Sequence, residues 1–163
     1  MKRRIKSPPV LQYEATECGA ASLKIVMAFI GRVVPLAQLR DRCGVSRDGV
    51  TASQIKFAAE SYGLKVHAYR CSAEQLKKQA YLPSILFWNF NHFLVLEGFE
   101  ANNVFLNDPA FGRRSICWDE FLTSFTGVVM DFKAGPDFKY GGMEPKLYHL
   151  IPKLFRPYSH LVP

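Results

Sequence analysis

Residues 12–23 read QYEATECGAASL, in which a cysteine is followed by small residues and then by the start of an apolar helical pattern. A thiol at a helix N-terminus is favoured as the thiolate, because the helix dipole and the first backbone N–H groups stabilise negative charge. Gln12 lies six residues before Cys18 and carries an amide that can donate to an oxyanion. The stretch therefore predicts a cysteine nucleophile, with a histidine and a carboxylate further along the chain.

Helices are predicted through the first 63 residues. The spacing of apolar residues predicts a helix from Cys18 to about Ile30, and Gly31 can end it. A second helix is predicted from Pro35 to a stop at Gly44. A third helix is predicted from the capping-box sequence at 51–54 to Tyr62, with Gly63 ending it. The three predicted helices thus cover residues 18–30, 35–44 and 51–62.

The periodicity changes after Gly63, where residues 64–70 alternate as a strand does. Further strands are predicted at 83–88, 93–99, 104–106 and 128–132, a loop at 108–112, and short helices at 72–80 and 119–125. Helices followed by a mostly antiparallel sheet define an α+β fold.

The charge of the chain is concentrated at its ends. The net charge is +7, but residues 7–132 carry 12 basic and 12 acidic side chains. A neutral body argues against a nucleic-acid partner and favours a chain that lies beside an anionic membrane surface; ordinary solubilising tails are the alternative. The predicted organisation is a basic tail at 1–7, one domain at 8–132 and a linker at 133–163. No signal peptide and no membrane-spanning run is recognised.

The four cysteines are widely and irregularly spaced, which argues against a zinc site and for free thiols in a reducing compartment. Cys43, Cys71 and Cys117 are interpreted as small buried hydrophobes. We therefore expect no metal and no cofactor.

His92 and Asp108 are the candidates for the remaining catalytic groups. His92 begins the apolar strand at 93–99, and Asp108 follows the strand at 104–106. An antiparallel hairpin turned at Asn102–Asn103 brings these two strand ends together. A carboxylate beside an imidazole fixes its tautomer and favours its protonation. Glu14 and Glu17 count against a thiolate unless they face solvent or act as charges at the helix N-terminus.

The sequence resembles the N-terminal peptidase domain of bacteriocin- and modified-peptide-exporting ABC transporters, a papain-like family of cysteine peptidases that cut double-glycine leader peptides. The resemblance covers residues 8–132 and rests on Gln12 and on the stretches ECGAA at 17–21, CGVSRDG at 43–49, WNFNHF at 88–93, NDPAFG at 107–112 and FTG at 125–127. The family more often has aspartate where this chain has Glu17. The resemblance implies that Cys18 is the nucleophile, His92 the general base and acid, and Asp108 its orienting group. Gln12 and the Cys18 N–H would hold the oxyanion.

The resemblance also implies a substrate, a precursor peptide cut after Gly-Gly or Gly-Ala. Bulky walls select glycine by excluding larger residues, and Trp88, Phe90 and Asn91 are the predicted wall. The family's leaders form an amphipathic helix, for which an apolar groove is required. The predicted groove residues are Ile55, Ala59, Tyr62 and Met27, with core packing as the alternative for each.

The family context implies a partner and a location. The domain precedes the transmembrane region of an ABC transporter, at the cytoplasmic face of the bacterial membrane, and ATP is used only in that remaining portion. Residues 147–163 would form the linker into it. Two alternatives remain open: a leader-binding module without hydrolysis, and acyl transfer by the same groups to an amine.

Overall fold

A computed structural model describes residues 3–144, so predictions about residues 145–163 lie outside the described part of the chain. The fold is α+β, as predicted: three helices precede an antiparallel sheet. Within the described residues, no helix has the length and apolar character that a bilayer span requires.

The three N-terminal helices confirm the sequence predictions. They are α1 (Cys18–Ile30), α2 (Leu36–Cys43) and α3 (Ala52–Ser61), and a 3₁₀ turn at Ala15–Glu17 leads into α1. Gly44 ends α2 with a left-handed φ of 63°, a conformation that glycine adopts without steric cost. Thr51 and Gln54 form the predicted capping box of α3.

The sheet in residues 3–144 has seven strands, paired antiparallel in the order β2-β7-β3-β4-β5-β6, with β1 added beside β4. The strands are β1 (Arg3–Arg4), β2 (Leu64–Arg70), β3 (Ser84–Trp88), β4 (His92–Glu100), β5 (Asn103–Asp108), β6 (Gly112–Cys117) and β7 (Phe125–Ala134). The short helices α4 (Ala73–Gln79) and α5 (Trp118–Ser124) fall close to their predicted positions.

Two cores cover the two faces of this sheet. Ile85 and Phe93 pack with α1, α2 and α3, whereas their chain neighbours Leu86 and Leu94 pack with α4 and α5. Successive side chains of a strand point to opposite faces, so strands covered on both sides are apolar throughout. This arrangement makes the middle strands β3 and β4 a rigid support for whatever their ends carry.

The structure differs from the sequence predictions for one strand, one turn and two cysteines, since Cys71 is only half-buried. Residues 112–117 form β6 beyond the predicted loop, because an edge strand with one solvent-facing side has too few apolar residues to be recognised. The hairpin turns at residues 101–102, where Ala101 has a φ of 52°. Cys117 is exposed, contrary to the prediction that it is buried.

Both predicted domain limits fall inside packed structure. Near the N-terminus, β1 pairs with β4, and Ser7 is buried with its N–H and hydroxyl donating to Glu97. Near the C-terminus, β7 continues past residue 132, Phe138 is buried, and Gly141 bridges to Arg32. Residues 3–7 and 133–141 therefore contribute main-chain pairing and apolar contacts to the domain.

Candidate active site

Cys18 is the first residue of α1, and only 5% of its surface is exposed. It lines a cavity that we call the thiol cavity, together with Val50, Phe87, Phe90, Asn91 and Phe93. The next residue, Gly19, packs so closely on α3 that an added Cβ would lie 2.3 Å from a methyl of Val50 and 2.8 Å from one of Ile55. The helix start that carries the thiol is thus seated directly against the cavity wall.

His92 and Asp108 meet as the hairpin predicts. They lie at the start of β4 and the end of β5, and His92 Nε2 is 2.7 Å from Asp108 Oδ1. Because Nε2 contacts the carboxylate, the other ring nitrogen is left to interact with Cys18, which is close enough to raise the pKa of the imidazole. The thiol, the imidazole and the carboxylate therefore lie in sequence, and His92 is hydrogen-bonded to Asp108.

The electrostatics of this series favour a protonated imidazole. Burial lowers the pKa of His92, but the hydrogen bonds and charges of Asp108 and Cys18 outweigh it and raise the pKa to about 9. Burial likewise acts to raise the pKa of Asp108, and the His92 hydrogen bond, the Ala110 N–H and the Arg114 charge together hold it below its usual value. Cys43 illustrates the effect of burial alone, which raises the pKa of its thiol to about 12.

Arg114 is a site residue that sequence reasoning missed. Its Nη2 lies 3.0 Å from Asp108 Oδ2, on the side opposite His92, and its guanidinium stands 5.9 Å from the Trp88 ring. Arg114 pairs in register with Leu106, two residues before Asp108, so both charged side chains project from the same face. Recognising β6 as a strand was the signal needed to find it.

A backbone hydrogen bond holds Gln12 at the site, where its side chain lines a cavity. Its N–H donates to the carbonyl of Pro109 at 2.8 Å, which fixes it beside the loop that follows Asp108. Its side chain lines a cavity together with His92 and Asp108, and its buried Oε1 has no hydrogen-bond partner among the described residues.

Glu17 is buried rather than solvent-facing. One carboxylate oxygen is 2.8 Å from Arg40 Nη1, and the other accepts from the N–H groups of Tyr13 and Glu14. The charge next to the thiol is thus neutralised by Arg40 and by the main chain of the loop between Gln12 and Cys18. Glu17 therefore holds that loop in shape.

The predicted substrate residues divide into two groups. Phe90 and Asn91 lie at the thiol cavity beside Cys18, and Phe90 is 79% exposed. Trp88 is buried against Phe121 and lines the cavity on the His92 side instead. Their role as a wall that selects glycine stays a prediction.

The predicted groove residues are contradicted by their burial. Ile55, Ala59 and Met27 are completely buried in the core between the helices and the sheet, and Tyr62 is buried beneath Arg32. Their helical spacing marks the face of each helix that packs inward, and such a face cannot receive a ligand. An apolar cavity of about 520 Å³ lies instead between the N-terminus of α3 and the strands β2, β3 and β7.

The loop between β3 and β4 has a strained backbone. Asn89 and Phe90 have φ values of 48° and 59°, a region that costs a non-glycine residue about 1 kcal/mol or more. Hydrogen bonds from Asn89 N–H to the carbonyl of Ser124 and from Asn91 N–H to that of Trp88 hold this shape. The loop thereby keeps the Phe90 ring at the mouth of the thiol cavity.

A thiol at a helix start beside an imidazole, with that imidazole hydrogen-bonded to a carboxylate across antiparallel strands, is typical of papain-like cysteine peptidases. Residues 6–137 match the sequence profile of the Peptidase C39 family. The chain belongs to this family and is a cysteine peptidase of the papain-like fold.

Among solved structures, a double-glycine motif protease from an AMS/PCAT transporter, in complex with its leader peptide, is 50% identical with a TM-score of 0.79. The match covers 80% of this chain and 94% of the solved protease chain. The peptidase domain of a Streptococcus ABC transporter involved in quorum sensing shares the fold at 22% identity, with a TM-score of 0.73, over 77% of this chain and 96% of that one.

Two curated relatives come from Escherichia coli. The colicin V secretion/processing ATP-binding protein is 32% identical over 146 residues. The probable microcin-H47 secretion/processing ATP-binding protein is 33% identical over 138 residues. The matches cover 90% and 85% of this chain. The chain spans about one fifth of the length of each of these relatives, 20% in both cases.

Proposed function

We propose that this chain removes the leader from ribosomally made precursor peptides by cutting after a Gly-Gly or Gly-Ala site, as the processing domain of a peptide-exporting ABC transporter. The observation that carries the proposal is the arrangement of Cys18 at the start of α1 beside His92, whose imidazole is hydrogen-bonded to Asp108. The half-identical relative that was solved with a leader peptide supports the substrate class.

In the proposed mechanism, the Cys18 thiolate attacks the carbonyl carbon of the last leader residue while His92 is protonated. The developing oxyanion is held by the amide of Gln12 and by the Cys18 N–H at the start of α1. The C–N bond then breaks, His92 gives its proton to the departing amine, and a thioester remains on Cys18. Water deprotonated by His92 hydrolyses the thioester, and only groups of this chain take part besides water and peptide.

Glycine selection follows from the crowding at the thiol cavity. Phe87, Phe90 and Phe93 line its walls. The Phe87 ring centroid lies 4.9 Å from that of Phe93 and 6.3 Å from that of Phe90. Only a residue without a bulky side chain brings its carbonyl to Cys18 between such walls. A Gly-Gly or Gly-Ala ending provides that access.

The apolar cavity of about 520 Å³ is our candidate for the leader groove. It shares Val50, Phe87 and Phe93 with the thiol cavity, so the two cavities lie side by side. From there its lining extends along Ala68, Tyr69 and Val128. The apolar face of an amphipathic helix fits such a surface, and burying that face provides affinity without a strict sequence requirement.

The transporter context is supported by the relatives and by the charge distribution. In the described residues, Arg3 and Arg4 join the sheet at β1, and further basic residues lie near both chain ends. Basic segments favour the cytoplasmic side of a membrane. We propose that the domain works there, next to the transporter that exports its product.

The test is cleavage of synthetic precursors, followed by intact mass spectrometry. Wild-type protein is incubated with one leader that ends in Gly-Gly, Gly-Ala or Val-Val, and Cys18→Ala and Cys18→Ser serve as matched variants. We expect hydrolysis after Gly-Gly and Gly-Ala only, and no cleavage by either variant. Retained leader binding by Cys18→Ala, measured by fluorescence anisotropy, shows that the variant is folded.

Three results contradict the proposal. Cleavage that survives Cys18→Ala excludes this thiol as the nucleophile. Leader binding by wild-type protein without any cleavage identifies a tethering module instead. A product whose mass lacks the added water indicates acyl transfer.

A further inference from the structure

A second cavity lies on the other side of the catalytic pair, and we propose that it binds the residues that follow the cut bond. We call it the leaving-side cavity; it measures about 440 Å³ and is lined by Gln12, Trp88, Asn89, His92, Phe111 and Glu120 among others. The inference rests on the proposed function, and it adds a specificity site for the part of the substrate that is released.

The direction of the substrate follows from the chemistry of the leaving group. The amine must take its proton from His92, so the chain that carries it departs on the imidazole side. His92 lines only the leaving-side cavity, whereas Cys18, which keeps the acyl group, lines only the thiol cavity. The cavities share Ala15 and Asn91, so an extended peptide passes from one to the other across the catalytic pair.

The lining of the leaving-side cavity indicates what it accepts. Phe111 is 78% exposed, and its N–H donates to the carbonyl of Asp108, which places its ring at the cavity just beyond the catalytic carboxylate. An exposed aromatic ring at a cavity wall offers a contact surface to an apolar side chain.

Charge adds a second element of selectivity. The carboxylate of Asp108 is hydrogen-bonded to His92 and to the Ala110 N–H and pairs with Arg114. Glu120 lies further out, with its side chain 51% exposed and its nearest oxygen 3.9 Å from Arg114. The outer part of the cavity therefore presents a carboxylate. We infer a preference for an apolar residue directly after the cut and a cationic residue beyond it.

The experiment separates this cavity from the leader side by changing only the leaving group. One substrate carries a leader, Gly-Gly and the residues Phe-Lys-Ala-Ala; the other is the same leader-Gly-Gly as a methyl ester, which releases methanol. Phe111→Ala should lower kcat/KM on the peptide by about three- to tenfold and leave the ester unchanged. Leu122→Ala, which removes an exposed apolar side chain of α5, is the matched control and should change neither.

A charge comparison tests Glu120 in the same assay. Wild-type protein should prefer Phe-Lys over Phe-Glu after the cut by about threefold, and Glu120→Gln should reduce that ratio towards one. An equal loss on peptide and ester in Phe111→Ala overturns the inference, as does an unchanged peptide rate. Failure of wild-type protein to cleave either substrate contradicts the proposed function instead.

An acyl-transfer measurement needs no variant. During ester cleavage the thioester carbonyl can be attacked by an added peptide amine; the C–S bond breaks, an amide forms, and His92 takes the amine proton. Phe-Lys-Ala should divert more acyl groups to the amide than Gly-Glu-Ala at equal concentration. Equal partition between these acceptors overturns the inference.

Discussion

The thiol and the imidazole of this peptidase are held in different ways. Cys18 is positioned by the 3₁₀ turn and the start of α1 that carry it, and by the buried carboxylate of Glu17, which Arg40 of α2 holds. His92 is positioned by a hairpin, and its charge is controlled by Asp108, sixteen positions away.

This difference separates geometry from protonation. Among the described residues, the groups that surround Gln12 and Cys18 set where the carbonyl and the oxyanion lie. The groups that surround His92 set over which pH range it stays protonated. Changes in the first region should lower the rate at every pH, whereas changes in the second should also displace the pH profile.

Gln12→Ala should have the largest effect among the changes considered below. Removal of one oxyanion donor lowers kcat by about 10²- to 10³-fold. Because the Gln12 amide carries no titrating charge, the pH limits of kcat/KM should not move. The measurement is a pH series on the leader-Gly-Gly substrate, with Leu11→Ala, an exposed neighbour, as control. A displaced profile would break the distinction between the two regions.

Asp108→Ala should lower kcat by about 10²-fold, since the imidazole loses its orientation. The raised pKa of His92 predicts a loss of activity on the alkaline side near pH 9 in the wild type. The ion pair with Asp108 stabilises the fold below the unfolded histidine pKa of about 6.5, and this contribution disappears as pH rises through about 9.

Asp108→Asn is the matched variant, because it keeps an oxygen for His92 and removes the charge. It should retain more activity than Asp108→Ala, with an alkaline limit displaced towards pH 6.5. NMR titration of the His92 ring checks the same displacement. An unchanged alkaline limit would show that another group controls it.

Glu17→Ala should lower the free energy of unfolding by about 2 kcal/mol, because two backbone N–H groups and Arg40 lose their acceptor. Activity measured well below the melting temperature should fall only a few-fold. Glu17→Gln keeps an oxygen acceptor in the same place, so its free energy of unfolding should lie between those of the wild type and Glu17→Ala. Urea denaturation provides the measurement; a large rate loss at full stability would assign Glu17 a role in the reaction.

Arg114→Gln should have the smallest effect, less than about twofold on kcat/KM, because a partly exposed ion pair contributes little. The lowered pKa of Asp108 gives stability that is present at neutral pH and lost as pH falls through that lowered value. Without Arg114 this loss should begin at higher pH, measured as acid unfolding. Arg114→Lys keeps the charge and should restore most of the acid stability.

The regions also differ in how far the sequence predicts them. The helix start at Cys18 is a local signal, and the structure reproduces α1 from Cys18 to Ile30 as predicted. The meeting of His92 and Asp108 was predictable because one hairpin joins them with a short turn.

Other features needed tertiary information. Arg114 depends on the edge strand β6, whose polar sequence gives no clear periodicity. Apolar spacing on α1 and α3 is compatible with both a groove and core packing, because it shows which side of a helix is buried but not what covers it. The ion pair of buried Glu17 with Arg40 depends on α2, whose docking onto the loop at 12–17 no local pattern encodes.

The contact between Gly19 and Val50 has an evolutionary consequence. Val50 forms part of the wall of both the thiol cavity and the proposed leader groove, and Gly19 leaves no room for a methyl group between them. A larger residue at Val50, which would narrow the groove, therefore presses on the start of α1 as well. Lineages that exchange one leader for another would have to adjust this wall and the helix together, so substrate range and reactivity drift as one trait.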